Sequence, residues 1–277
     1  MVDDALAPLL THFSARARLF YTGTLCGHAD FPDSSGLGYL HLLRAGTATL
    51  RDTSGNVARL DEPSLVFYTC PLTHSFDSGA GPGADLACAS VSFDNASFNP
   101  VIRALPPLFQ CRLADLSGSA VVLDALFAEA SAEHPGRQQV LDRLFEVILI
   151  DLLRVAIRRD EGSVGFLRGL AHPKLARALT ALHAHPEKDW SLEGMAALAG
   201  MSRSSFAAIF RREVGATPGD YLTRWRVAIS QSLLRRGTPL QLLPERVGYG
   251  SQAGLLRAFK IVTGTTPMTW LRSSTFS

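Results

Sequence analysis

The sequence predicts an α+β protein of two domains: a β-rich N-terminal barrel or sandwich that ends in helices, then an all-α domain. Three observations carry that expectation. Short runs rich in β-branched and aromatic residues alternate with turn residues over about the first 110 positions. Apolar residues then recur at helical spacing. Within the last third, one segment occurs twice.

The strands are read from "RARLFYTGTL", "LGYLHLL", "GTATLRD", "SLVFYTC" and "ADLACASVSF", separated by "PDSSG", "DTSGN" and "SGAGPG". "GTATLRDTSGNVARL" reads as a hairpin turning at Ser54-Gly55-Asn56. After "NPVIRALPPLFQCRL", the segments "AVVLDALFAEASAE" and "RQQVLDRLFEVILIDLLRVAIRRD" read as helices. In the second, Val140, Leu141, Leu144, Phe145, Ile148, Leu149, Leu152 and Leu153 recur at helical spacing. That apolar surface is broader than one packing face needs. The stretch 119–160 is therefore a candidate homodimer seam, with packing onto its own β-domain the alternative. "RDEGSVGFLRGLAHP" punctuates the chain, dividing a first domain at 1–162 from a linker at 163–172 and a helical domain at 173–277.

With 47% apolar and 19% charged residues among 277, the chain can bury real cores and is not disordered by composition. Its net charge of +2 hides an asymmetry: twelve Lys/Arg face six Asp/Glu between Pro186 and Ser277, against fifteen and nineteen elsewhere. A basic third on a mildly acidic body suggests a phosphate-bearing partner. The opening Met-Val-Asp-Asp lacks the layout of a signal peptide, and the run "VILIDLLRVAI" is broken by Asp151 and Arg154. A cytoplasmic protein without a membrane segment is expected. Cys26, Cys70, Cys88 and Cys111 show no zinc-finger spacing.

"GMSRSSFAAIFRREVGATP" (Gly200–Pro218) aligns with "GYGSQAGLLRAFKIVTGTTP" (Gly248–Pro267), the second copy carrying one extra residue in its turn. Phe206, Phe210, Gly215 and Pro218 sit 49 positions before Leu255, Phe259, Gly264 and Pro267. Each copy reads as helix–turn–helix. In the first, Ser191 caps one helix with Glu193 in its first turn, Gly200 stops it, and Ser202 caps the next. Phe206, Ile209, Phe210 and Val214 form the expected core stripe, leaving Arg203, Ser204, Ala207, Ala208 and Arg211 on the other side. The same spacing offers Ser251, Gln252, Ala253, Leu256, Arg257 and Lys260 in the second copy. "GDYLTRWRVAISQSLLRR" joins the units as one helix, with Leu222, Trp225, Ile229 and Leu233 on one face. Two recognition helices about 34 Å apart enter successive major grooves on one side of a duplex.

On the paired "F…F….G..P" pattern and "VGYGS…LLRAFK", the region from about Pro173 to Ser277 resembles the AraC/XylS family of bacterial transcription regulators. The resemblance implies two helix–turn–helix units joined by a long helix, binding double-stranded promoter DNA and acting with RNA polymerase. It also implies a small-molecule effector and a homodimer. Two departures stand out. Ala207 and Ala208 occupy positions where the family often has larger polar side chains, so the first unit is expected to position the protein more than to read bases. In the second unit, Pro244 requires its helix to start near that residue or kink, and Gly254 weakens the recognition helix.

"GTLCG", "YLHLLRAG", "PLTHSF", "LACASVSF" and "NPVIRALP" resemble the cupin-type sensing domain of one subgroup of that family. Metal-dependent cupin enzymes use an HxH pair, whereas His41 is followed two positions on by Leu43. No enzyme is expected; the alternatives are such an enzyme or a module binding a partner other than DNA. Cys26, His41, His74 and Cys88 lie in or beside strands, and three readings stay open: zinc or oxidant sensing, an organic-ligand pocket, or buried core. Cys70 and Cys111 look ordinary. His12, His28, His134, His172, His183 and His185 read as solvated.

Overall fold

The computed structural model describes residues 4–13, 15–32, 37–79, 81–93, 99–116, 118–159 and 165–274. The chain forms two compact units assembled from separated stretches. One is Ala15–Phe93 with Leu105–Ala156; the other is Met1–Ser14 with Asp94–Ala104 and Ile157–Ser277. The boundary expected at 162 and the first linker positions, 163 and 164, lie outside the described residues. No helix among the described residues is long and apolar enough to cross a membrane.

The first unit is two antiparallel sheets. Strands β1 (Ala15–Leu25), β3 (Gly38–Ala45), β6 (Ser64–Tyr68), β8 (Ala84–Phe93) and β9 (Leu108–Arg112) form one, in the order β1-β8-β3-β6-β9. Strands β2 (His28–Phe31), β4 (Ala48–Asp52), β5 (Val57–Leu60) and β7 (His74–Asp77) form the other, in the order β2-β7-β4-β5. The expected hairpin is β4–β5: Gly55 takes a φ of 86°, and Asp52 Oδ1 accepts from the Ser54 and Asn56 amides at 2.9 and 3.0 Å.

Strand β3 is buried from Gly38 to Leu43, so both its faces are covered. Tyr39, His41 and Leu43 share one face by the two-residue pleat. Leu40 and Leu42 point the other way, where Arg44 stacks over Phe127 of helix α3 (Ala120–Ala130) at 4.7 Å. Helix α4 (Arg137–Arg159) packs Leu141, Phe145, Ile148, Leu149, Leu152 and Leu153 inward and leaves Val140 and Val147 exposed. Of the two alternatives for α4, packing on its own β-unit is therefore present. It also repairs a bulge in β1, where the register against β8 shifts between Leu19 and Tyr21. There the Leu19 amide donates to Asp142 Oδ1 and the Leu19 carbonyl accepts from Gln138, each at 3.0 Å.

The second unit holds helices α1 (Ala7–His12), α2 (Pro100–Ala104), α5 (Phe166–Ala171), α6 (Leu175–Ala184) and α7 (Leu192–Leu198). It continues with α8 (Arg203–Val214), α9 (Pro218–Arg235), α10 (Leu243–Val247), α11 (Gln252–Thr263) and α12 (Pro267–Ser274). The connecting helix α9 is buried nearly all round from Trp225 to Leu234, well beyond the single face expected of it, while Gly219, Asp220 and Arg224 near its start are exposed. The N-terminal segment contributes to that burial: Phe13 lies 5.3 Å from the Trp225 ring, and Ser232 Oγ donates to the His12 carbonyl at 2.7 Å.

His183 corrects the expectation that it is solvated. It is fully buried, 4.3 Å from the Trp225 ring, and shares a 2.6 Å hydrogen bond with the Tyr221 hydroxyl. Burial pushes its pKa down to about 3. The signal was present locally, because His183 follows Leu175 and Leu179 at steps of four on an amphipathic helix.

Candidate nucleic-acid interface

The repeat is visible in individual backbone hydrogen bonds. After α7, the Met201 amide donates to the Ala196 carbonyl and the Gly200 amide to the Ala197 carbonyl, each at 3.0 Å. After α10, Tyr249 donates to Pro244 at 2.8 Å and Gly248 to Glu245 at 3.4 Å. This is the same two-bond stop, with a left-handed glycine at its centre in both. Gly250 is the extra residue of the second turn. Ser202 Oγ then accepts from the Ser205 amide at 3.3 Å, and Ser251 Oγ from the Gly254 amide at 3.2 Å. Gly215 and Gly264 end α8 and α11 in left-handed conformation. As expected from Pro244, α10 begins next to it, at Leu243.

Aromatic packing repeats as well: Phe210 meets Tyr221 at 5.6 Å, and Phe259 meets Trp270 at 5.9 Å. These buried faces leave the opposite faces outward. Ser202, Arg203, Ser204 and Arg211 are exposed on the first unit, with Ala207 half-buried. Ser251, Gln252, Ala253, Arg257 and Lys260 are exposed on the second, with Leu256 half-buried. The core stripe of α8 differs from expectation in one place: Ile209 is only half-buried, whereas Glu213 is buried beside Phe206, Phe210 and Val214. Glu213 is tolerated there because Arg212 and Arg168 both donate to its carboxylate at 2.6 Å. Those hydrogen bonds hold its pKa below the usual carboxylate range. Arg168 belongs to α5, so the end of α8 is tied to the helix that enters this unit.

Two further residues, Glu193 and Arg226, make contacts beside these exposed faces that no sequence motif marks. Arg203 Nη1 lies 2.6 Å from Glu193 Oε1 on α7, forming an ion pair at the mouth of the recognition helix. Arg226, in α9, donates to the Pro186 and Lys188 carbonyls at 2.8 and 2.7 Å and stacks over Tyr249 at 5.4 Å. It thereby links the loop before α7 to the turn before α11.

The β-unit holds a second cluster. His41 and His74 share an Nε2···Nε2 hydrogen bond of 2.8 Å, and His74 Nδ1 donates to the Leu72 carbonyl at 2.8 Å. A carbonyl can only accept, so Nδ1 carries the proton of neutral His74, and its bare Nε2 accepts from His41. Among the described residues, the buried His41 Nδ1 has no hydrogen-bond partner. Phe76, Tyr68 and Phe31 surround the pair, with rings 4.7 Å from His41, 4.2 Å from His74 and 5.2 Å from His74 respectively. Burial, reinforced at His41 by its neighbour, lowers both histidine pKa values.

Cys88 stands directly opposite both Tyr21 and His41 across the sheet, and burial pushes its thiol pKa up. Cys26, in contrast, is exposed beyond the end of β1. The four do not meet as a tetrahedral ligand set. Among the described residues, no three His, Cys, Asp or Glu side chains gather where they could hold a metal ion.

A family model described as Cupin matches residues 4–158, and one described as Helix-turn-helix domain matches residues 195–273. An AraC-like transcription regulator of Streptomyces antibioticus is 36% identical over 194 residues, covering 69% of this chain and 64% of that protein. The match thus spans a little under two thirds of that relative's length. The RCS-specific HTH-type transcriptional activator RclR of Escherichia coli is 26% identical over 235 residues, covering 82% and 81% of the two chains. Unsaturated fatty acid bound ToxT from Vibrio cholerae superposes over 94% of each chain at 13% identity and a TM-score of 0.40. The chain belongs to the AraC/XylS family of transcriptional regulators, joining an N-terminal cupin domain to a C-terminal helix-turn-helix domain.

Proposed function

We propose that this protein is a sequence-specific regulator of transcription that binds promoter DNA through residues 173–277 and reads an effector through residues 1–162. One observation carries the reading. The same helix–turn–helix backbone is built twice around α9, and each copy buries its aromatic face while exposing cationic side chains, accompanied by serine hydroxyls in the first copy and by glutamine amides in the second. Arg203, Ser204 and Arg211 engage phosphates through the first unit. Gln252, Arg257 and Lys260 of the second reach base edges and backbone, with Leu256 placed for a thymine methyl. Ser202 and Ser251 cap the two helices at the DNA surface, and Ala207 and Ala253 allow close approach.

The remaining assignments belong to the same reading. The outer face of α4, within 119–160, pairs two copies as a homodimer, and the bound protein works with RNA polymerase in the cytoplasm. The effector is a small molecule read at the His41–His74 pair and its aromatic surround, or an oxidant read at the Cys26 and Cys88 thiols; the protein itself performs no turnover. Bound zinc found by elemental analysis of the purified protein replaces this effector with metal sensing.

The main test is footprinting with promoter fragments over a range of salt. A defined protected site whose affinity falls steeply with salt is expected. Absence of protection at low salt overturns the reading.

A further inference from the structure

The two units share a backbone but not the charge at the entrance to their recognition helices. In the first, the Arg203–Glu193 ion pair closes at 2.6 Å with the side chains 64% and 56% exposed. The repeat places Gln252 at the position of Arg203 and Gln241 at that of Glu193. The second unit therefore has two exposed neutral amides where the first has an ion pair. A carboxylate beside a DNA-binding surface is a cost in binding: it repels phosphate and occupies a guanidinium that would otherwise neutralise one.

We propose that Glu193 restrains the DNA affinity of the first unit by holding Arg203, which must leave the ion pair to reach a phosphate or a guanine edge. The proposal rests on the DNA-binding reading above. Relative magnitudes set how far Glu193 restrains binding. An exposed ion pair is worth up to about fivefold. A bidentate arginine–guanine contact is worth between about fivefold and a hundredfold, so the correct base displaces Glu193. A lone phosphate contact, weakened by salt, competes with Glu193 on nearly equal terms. Glu193 thus lowers binding to the selected sequence, where the ion pair is given up in full, at least as much as binding to arbitrary ones. Its carboxylate also matches the guanidinium fork, which keeps Arg203 extended and oriented before DNA arrives.

The experiment uses the full chain and two labelled duplexes of equal length, one recovered by repeated selection from a random pool and one unselected. Affinities of wild type and Glu193→Gln are measured by anisotropy across a range of salt. On the unselected duplex, Glu193→Gln is expected to bind about three- to fivefold tighter at low salt. Its slope of log affinity against log salt should steepen by about 0.9, the value of one added phosphate contact. On the selected duplex the gain is at least as large, because the ion pair is broken there in full. Adding Arg203→Ala to Glu193→Gln removes the gain. No change on either duplex, a gain confined to the unselected duplex, or a gain that survives Arg203→Ala overturns the proposal. A wild type that fails to discriminate the two duplexes overturns the DNA-binding reading instead, which separates the two failures.

Discussion

The two helix–turn–helix units are one backbone carrying two different surfaces. Both stop their first helix with the same pair of hydrogen bonds, cap their second with serine and end it at a left-handed glycine. Both then pack a phenylalanine against the aromatic residue of the following helix. Almost nothing else is shared. The first exposes an arginine already paired to Glu193 and small side chains around Ala208; the second exposes Gln252, Arg257 and Lys260. A short list of backbone and core requirements thus defines the unit, and the exposed positions are free to specialise.

The strongest way to break this comparison is to attack the shared core. Phe210→Ala and Phe259→Ala should each cost about 3–5 kcal/mol in urea unfolding, since each removes a fully buried ring. Unequal costs would mean that one unit is only loosely packed. The glycine stops come next. Gly200 and Gly248 both have positive φ, 61° and 82°, so alanine at either costs about 1–2 kcal/mol. Among the described residues, a Cβ at Gly200 meets nothing within 4 Å, whereas one at Gly248 lies 2.5 Å from Arg226 Nη2 and 2.8 Å from the Glu187 carbonyl. Arg226 is pinned by its own hydrogen bonds and cannot easily yield, so Gly248→Ala should lower the thermal midpoint more than Gly200→Ala.

The functional contrast is of similar size. Arg257→Ala is expected to cost about 1–3 kcal/mol on a selected duplex and to relax preference at one base pair. Arg211→Ala should weaken all duplexes alike and flatten the salt slope by about one. Competition binding against single-substitution duplexes distinguishes the two, and identical profiles would erase the proposed division of labour. The smallest effect tests local equivalence: Ser202→Ala and Ser251→Ala should each lose about 1 kcal/mol of stability, read by denaturant midpoint.

Legibility followed the range of the interactions. The hairpin at Ser54–Asn56, the serine caps, the glycine stops and the helix start beside Pro244 all depend on residues a few positions apart, and all could be read along the chain. His41 and His74 are 33 positions apart in sequence, and their hydrogen bond exists only because β2 and β7 fold the second sheet over the first. Cys88 was nominated with them, yet only pairing across β3 and β8 shows that it faces His41 while Cys26 stays outside. His183 was legible by its spacing, but its polar side chain and loop-like flank disguised a buried position. Glu193 was visible as a first-turn acid; its partner across the turn was not.

By itself, the sequence determined the class of the fold, the repeated unit and, largely, which faces of α8 and α11 are buried and which exposed. Helical periodicity, capping and left-handed turns are written in neighbouring residues. The tertiary structure alone decided which distant side chains meet. It placed Phe13 against Trp225 of α9, Arg168 on Glu213, Arg226 between two turns, and one histidine against another. Such contacts depend on how sheets and helices close over long loops, and no local pattern encodes that closure.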